Sequence, residues 1–334
     1  MMSAAKKAYG RLAAADGTND DNERGQSESA GNANSATMTA NRQSRCAAHR
    51  LIGELLGVDV YKPSPLQLDF NGRRSTQFPH CDQETTWDCG VACTQMVLRW
   101  LRPSRYPQID GESTPLSFDE ISERNWIIHA CEGQSVWTVD IIIILQRLFD
   151  KELRQSFDFP LSARDNEDDV WDKARYLYLS KRFGVDETYK TYGYYRDAFE
   201  RDELRVMQRF VLAKELNLPM CETQIDLETL VDVISRDQCI AMVLIDNAVL
   251  KRSGCDYAGH YVLLVGISTD NQDIAQAESC CGKEQDSSSS TPYCLVVKNP
   301  NRPESISFIT PSLFEKARTA DGTDEDLILI AKAS

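Results

Sequence analysis

An α+β fold follows from three features of this sequence. Segments whose apolar residues recur at helical spacing fill much of the stretch from Gly90 to Arg236. Short unbroken apolar runs, suited to buried strands, dominate the C-terminal third. Finally, 42% of the 334 residues are hydrophobic, which is enough for a sizeable core. The expected architecture is a set of helices packed on a C-terminal antiparallel sheet.

Residues 1–45 are rich in Ala, Ser, Asn, Gly and Asp, with Tyr9 as their one aromatic. They hold too little apolar surface to fold and are expected to form a disordered tail. Residues 46–75 read as a short helix, Cys46 to Val58, and a linker opened by Tyr61-Lys62-Pro63-Ser64-Pro65. The folded domain is expected from 76 to 334. Its first helix runs from Gly90 to Leu101, offers Ala92, Met96, Val97 and Trp100 to one face, and stops at Arg102-Pro103.

A second helix starts in Ser135-Val136-Trp137-Thr138-Val139-Asp140, with Ser135 or Thr138 at its cap, and reaches Phe149. Two more are expected over Asp202 to Leu216 and Leu227 to Arg236, with a short run at Cys221 to Ile225 between them. Ile240 to Ile245, Tyr261 to Val265 and Cys294 to Val297 are the expected strands. Asn271 to Pro292, with its four serines Ser287 to Ser290, reads as an exposed loop insertion. Pro311 to Arg318 reads as a short helix and Leu327 to Ile330 as a closing strand.

Charge narrows the function classes. The net charge is −14, and the tail is nearly balanced, with six basic and five acidic side chains. The acidity therefore lies in the folded part, a poor match for nucleic acid or an anionic membrane. The opening Met1-Met2-Ser3-Ala4-Ala5-Lys6-Lys7 leads into no apolar stretch, and apolar runs such as Ile141 to Leu145 are far too short to span a bilayer. Met2 stands where myristoylation would need Gly. Eleven cysteines without a secretory signal read as reduced thiols. These features predict a soluble intracellular, cytoplasmic protein with no membrane or nucleic-acid partner.

The chemistry starts at Gln83-Glu84-Thr85-Thr86-Trp87-Asp88-Cys89-Gly90-Val91-Ala92-Cys93. Cys89 opens a helix, where the helix dipole favours a thiolate, and the Gln83 amide could donate to a developing oxyanion. A thiol also needs a base. Of the four histidines, His49 lies near the tail, His80 in a loop and His129 in an apolar-rich segment. His260 leads directly into the strand Tyr261 to Val265, where its ring can be held rigidly. Asn299, between the strand ending at Val297 and Pro300, is placed to orient that ring. A lone helical cysteine is most often a core residue. The order Gln83, Cys89, His260, Asn299 is what a papain-type site requires.

Gln83 to Trp100 and Gly259 to Val265 resemble papain-like peptidases, above all the bacteriocin-processing group with its Gln…Asp-Cys-Gly-x-Ala-Cys start. The resemblance implies a papain-like cysteine peptidase fold, its nucleophile-bearing helix packed on the C-terminal sheet. It also implies Cys89 as nucleophile, His260 as base, Asn299 as orienter and Gln83 as oxyanion donor. Many of that group carry Asp at the position of Asn299, and papains carry Asn. Cys93, one helical turn beyond Cys89, is expected to pack rather than react.

A second resemblance is longer. Trp87 to Cys93, Val97 to Arg99, Ser135 to Asp140, Gly184 to Asp186, Gly259 to Leu263, Asn299-Pro300, Phe314 to Arg318 and Gly322 to Asp326 resemble the guanylyl cyclase domain-containing protein 1 family. That family includes the plant soluble guanylyl cyclases. The resemblance implies conversion of GTP to cyclic GMP and pyrophosphate with Mg²⁺ or Mn²⁺.

The chain has no Walker-type loop, and Asp186 breaks the short cyclase-centre pattern that Arg182-Phe183-Gly184-Val185 opens. Asp324-Glu325-Asp326 reads as a solvated acidic turn rather than a metal site. Cys255, Cys280, Cys281 and Cys294 lack the paired knuckles of a zinc site, so no metal is expected. The leading expectation is a cofactor-free thiol hydrolase attacking an amide, ester or thioester carbonyl of a peptide, protein or small molecule. The alternatives are a guanylyl cyclase using GTP with Mg²⁺ or Mn²⁺, and a non-catalytic interaction domain on a peptidase scaffold.

Overall fold

The computed structural model describes residues 49–57, 78–102, 118–132, 135–150, 174–184, 193–236, 238–252, 257–280, 292–302 and 306–332. The expected tail, the linker over 58–75, Val185, Asp186, Cys255 and Cys281 lie outside them. Helix α1 covers 49–56, followed by α2 (Cys89–Leu101), α3 (Phe118–Cys131) and α4 (Thr138–Phe149). Then come β1 (Ala174–Ser180), α5 (Gly193–Glu215), β2 (Met220–Glu222), α6 (Leu227–Ile234), β3 (Cys239–Asp246) and α7 (Asn247–Lys251). The chain continues through β4 (Gly259–Ser268), α8 (Asn271–Cys280), β5 (Cys294–Lys298), β6 (Ser307–Ile309), α9 (Pro311–Arg318) and β7 (Leu327–Lys332).

The seven strands form one sheet in the order β2-β1-β7-β3-β4-β5-β6. The expected C-terminal antiparallel sheet is therefore a mixed one. Its β1–β2 pair is parallel, in register Tyr178↔Met220, and every other pair is antiparallel. Both faces are covered, which explains why β3 and β7 read as continuous apolar runs rather than alternating ones. Ile240, Met242, Tyr261, Leu263, Ile328 and Ile330 face one layer with α2, α3, α4 and α5. Ala241, Val243, Val262, Leu264, Leu327 and Leu329 face the other layer, with α1, α6 and α9.

Three segments depart from expectation, for related reasons. Asn271 to Pro292 begins with α8 rather than a loop, and its residues 281–291 lie outside the described set. This helix is polar almost throughout, buries Ala277 and leans on β5 and β6, so it carries almost no apolar period. β1 alternates Tyr176 and Tyr178 with Leu177 and Leu179, apolar on both faces. It also precedes α5, so strands are not confined to the C-terminal third. α4 starts at Thr138, and the side chain that ties down its start is Asp140, accepting from the Trp137 N–H at 3.1 Å, not Ser135 or Thr138.

Candidate active site

The start of α2 is the centre of the site. Asp88 precedes Cys89 at the usual capping position, yet its side chain does not cap the helix. It turns back instead, accepting from the N–H groups of Glu84 at 3.2 Å and Thr85 at 3.1 Å and pairing with Arg124. Arg124 also reaches Gln95 at 3.2 Å and Glu84 at 3.3 Å, so it fastens the 83–88 loop to the helix. The N–H groups at the helix start are thereby not taken up by their own cap residue. The backbone N–H groups of Cys89 and Gly90 both act to lower the Cys89 thiol pKa.

Cys89 and Cys93 together clasp one residue of β4. The β4–β5 ladder ends at Leu263↔Lys298, so Tyr261 lies beyond it on that side. Its N–H donates to Cys89 Sγ at 3.4 Å, and its carbonyl accepts from Cys93 Sγ at 3.4 Å. In a strand the N–H and C=O of one residue point to the same side, so two thiols one helical turn apart replace a missing strand. Gly90 makes this approach possible. A Cβ there would lie 2.9 Å from Val136 Cγ1 and 3.2 Å from Tyr261 Cδ2.

Burial pushes the Cys89 thiol up, opposed by the Tyr261 N–H and by the N–H groups of the helix start. Cys93 is pushed well above the ordinary thiol value by burial and by the neighbouring Cys89 and Cys81. Cys93 therefore packs and bonds to backbone, as expected.

His260, one residue before Tyr261, is buried, and its Nε2 lies 2.9 Å from Asn299 Oδ1. The same Oδ1 accepts the Asn301 N–H at 2.9 Å, which identifies it as the oxygen rather than the amide nitrogen. An oxygen acceptor requires Nε2 to carry the proton, which leaves Nδ1 with the basic lone pair. Burial lowers the His260 pKa to about 4, partly offset by the Asn299 hydrogen bond, with Lys251 lowering it further. The imidazole is thus neutral at physiological pH and free to accept a proton. Arg302 N donates to Asn299 O at 3.2 Å, so Asn299 both opens a turn and orients the ring.

Gln83 is tied beside this turn: its backbone N–H donates to Pro300 O at 2.9 Å. Its side-chain Nε2 donates to Thr85 O at 2.8 Å, while Oε1 is buried without a hydrogen-bond partner. His80 fixes the same segment through Arg302 O at 3.2 Å and Asp82 at 3.0 Å. Hydrogen bonds thus link Gln83 to the turn after Asn299, Asn299 to His260, and Cys89 to Tyr261, the residue after His260. The other histidines go elsewhere: His49 pairs with Asp232 at 3.8 Å, and His129 is exposed on α3.

The acidic turn is not solvated as expected. Asp324 pairs with Arg182 at 3.1 Å, and Glu325 lies 3.6 Å from Arg318 and accepts from Gln224 at 2.7 Å. Asp326 accepts from Thr138 at 2.6 Å and from Tyr178 at 2.8 Å. Three carboxylates with three separate sets of partners do not converge on a cation. Among the described residues, no group of three or more His, Cys, Asp or Glu side chains is placed to hold a metal ion. Cys294, one of the four cysteines weighed for zinc, is buried in β5.

Sequence reasoning missed Asp88, Arg124, Thr138, Tyr261 and Asp326 as parts of this site. For all but Arg124 the only signal was membership of the segments Trp87 to Cys93, Ser135 to Asp140, Gly259 to Leu263 and Gly322 to Asp326, while Arg124 lies in α3, a helix the sequence analysis did not anticipate. Among the described residues, no helix is long and apolar enough to cross a membrane.

Comparison with known proteins bears on the whole folded region. The profile of a family described as guanylylate cyclase matches residues 78–157 and 172–330, more than half of the chain. A protein named Guanylyl cyclase 1, from Arabidopsis thaliana, is 23% identical over 265 residues, which span 75% of this chain and 74% of that protein. No solved structure matches.

Proposed function

The chain belongs to the guanylylate cyclase family, and from that premise we propose that its α2–β4–β5 corner is a papain-like thiol hydrolase site. The observation that carries this reading is the Tyr261 N–H on Cys89 Sγ at 3.4 Å, one residue from a histidine whose Nε2 is held by Asn299. It supports the pairing of a thiol at a helix start with an oriented neutral base one strand residue from the thiol's hydrogen-bond donor.

His260 Nδ1 takes the Cys89 proton, and the sulfur attacks the carbonyl of an amide, ester or thioester. The new C–S bond leaves the carbonyl oxygen negative. A helix-start N–H and the second N–H of the Gln83 amide donate to it, the first amide hydrogen being given to Thr85 O. Collapse expels the amine, alcohol or thiol, which takes the proton from His260. Water activated by the same ring then releases the acid and restores the thiol. The reading needs no cofactor. Its substrate is a peptide, protein or small molecule bearing such a carbonyl.

A carbonyl-type active-site probe is expected to label the protein at Cys89, with no labelling of Cys89→Ala. In His260→Ala the rate should fall on the order of 10²- to 10⁴-fold, the usual contribution of a general base. Equal labelling of all three proteins overturns the reading.

A second reading is a guanylyl cyclase, favoured by the family description and the relative's name. It implies GTP with Mg²⁺ or Mn²⁺, and the Asp324-Glu325-Asp326 donors do not fit that ion, since each is committed elsewhere. Purified protein given GTP and either ion is expected to form no cyclic GMP above a mock preparation. Formation that persists in Cys89→Ala would favour the cyclase reading instead.

A further inference from the structure

We propose that Asp326 is a positioning residue for the Cys89 thiol, acting through Thr138 and Tyr261; the inference rests on the thiol-hydrolase reading. Four segments far apart in sequence meet along one chain of hydrogen bonds. Asp326 Oδ2 accepts from Thr138 Oγ1 at 2.6 Å, and that hydroxyl lies 2.7 Å from Tyr261 OH. The Tyr261 N–H in turn donates to Cys89 Sγ at 3.4 Å.

The direction of the chain is fixed by its acidic end. An ionised carboxylate only accepts, so Thr138 donates to it and must accept from Tyr261 OH. Tyr178 OH donates to the other oxygen, Oδ1, at 2.8 Å. Burial lifts the Asp326 carboxyl to about 6, with the hydroxyls opposing that shift and Asp324 adding to it, so the group is charged at neutral pH. The backbone also anchors it: Leu244 N donates to Asp326 O at 3.0 Å, which ties the turn to β3.

Tyr261 touches the start of α2 at two places, which is why fixing its hydroxyl matters to the thiol. Its N–H is on Cys89 Sγ, and its ring lies against Gly90, where a Cβ would come within 3.2 Å of Cδ2. A ring tethered at its far end cannot tilt without moving one of these contacts. Without the tether, the ring can rotate and the N–H can leave the sulfur, and the thiolate loses a donor.

The test uses the full chain with Thr138→Val, Asp326→Asn, the double variant and Thr138→Ser. Alkylation of Cys89 by iodoacetamide is followed against pH by peptide mass spectrometry. Hydrogen exchange of the Tyr261 amide is followed relative to that of Leu263. Thr138→Val and Asp326→Asn should each slow Cys89 alkylation at pH 7 by about tenfold, as expected for the loss of one hydrogen bond to a charged acceptor. Each should also move the profile to higher pH and speed Tyr261 exchange.

The double variant should be no slower than the slower single variant, because the two groups act as one unit, and Thr138→Ser should restore the wild-type profile. Lower thermal stability with an unchanged Cys89 profile and unchanged Tyr261 exchange would overturn the proposal, leaving Asp326 a packing group. If the wild type shows no probe labelling at Cys89, the hydrolase reading fails by itself. The exchange measurement then still decides whether Asp326 holds Tyr261 on the sulfur.

Discussion

Asp140→Ala is expected to cost about 3–5 kcal/mol of folding stability, the range for removing one partner of a buried ion pair. The Asp140 side chain is fully buried, and its carboxylate lies 2.7 Å from Arg205 Nη1 and 3.4 Å from Arg209 Nε. It also accepts the Trp137 N–H at 3.1 Å. Alanine would leave two guanidinium groups, only 14% and 7% exposed, without their shared anion. Arg205 would keep its bonds to Cys131 O and Ser135 O, and Arg209 its bond to Ala130 O. Arg205 would also keep Asp202 at 3.6 Å, and Arg209 the 63%-exposed Glu132 at 3.1 Å. Neither replaces the fully buried carboxylate that both share, so much of the cost remains.

Urea unfolding should show a lower midpoint at an unchanged slope. Asp140→Asn, which can still accept from Trp137, should lose less. Asp140→Ala combined with Arg205→Met should recover part of the loss, because it removes one stranded charge. Additive losses in that double variant would show that the pair is not coupled.

The same substitution should reach the thiol. Asp140 secures the turn from Ser135 to Thr138, and that turn carries Val136 against Gly90 and Thr138 against Tyr261. The arginines that hold it, Arg205 and Arg209, come from α5, on the helical layer that also carries α2. A stability element and the candidate site therefore share one segment, and loosening the first should slow Cys89 alkylation in the second.

Much of the candidate site was legible because its chemistry sits at element boundaries. Cys89 opens a helix, His260 lies at the head of a strand, and Asn299 comes directly after the next strand; each pairs a distinctive side chain with a detectable change of period. What supports these residues was not legible. Tyr261 reads as one more apolar strand residue, and nothing near it in sequence shows that it will meet a helix start 172 positions away. Thr138 and Asp326 are separated by 188 positions.

Local composition misled in the acidic turn, where three adjacent carboxylates suggest solvent. Asp324 and Glu325 instead adopt left-handed backbone angles, φ 48° and 53°, and each carboxylate finds its own partner. Likewise, β1 is apolar on both faces and α8 on almost none, so neither shows the period that marks its class.

Asn299→Leu is expected to reduce probe labelling of Cys89 on the order of 10²- to 10⁴-fold, about as much as the loss of the base itself. Leucine is close in size to asparagine but cannot accept from His260 Nε2 or from the Asn301 N–H, both at 2.9 Å from Oδ1. The ring is then free to place its proton on Nδ1, the wrong tautomer for a base acting through that atom, and to turn away.

Asn299→Asp separates orientation from charge. A carboxylate still accepts both donors, so the tautomer is kept, but its charge favours the imidazolium. Burial holds His260 near a pKa of about 4 in the wild type, so the acid limb of the labelling profile should fall there. In Asn299→Asp the limb should move to higher pH, because the ring protonates more readily, while labelling at pH 8 stays within a few-fold of wild type. Acid limbs at the same pH in both proteins would mean that His260 is not the titrating base, and wild-type labelling by Asn299→Leu would remove Asn299 from the site.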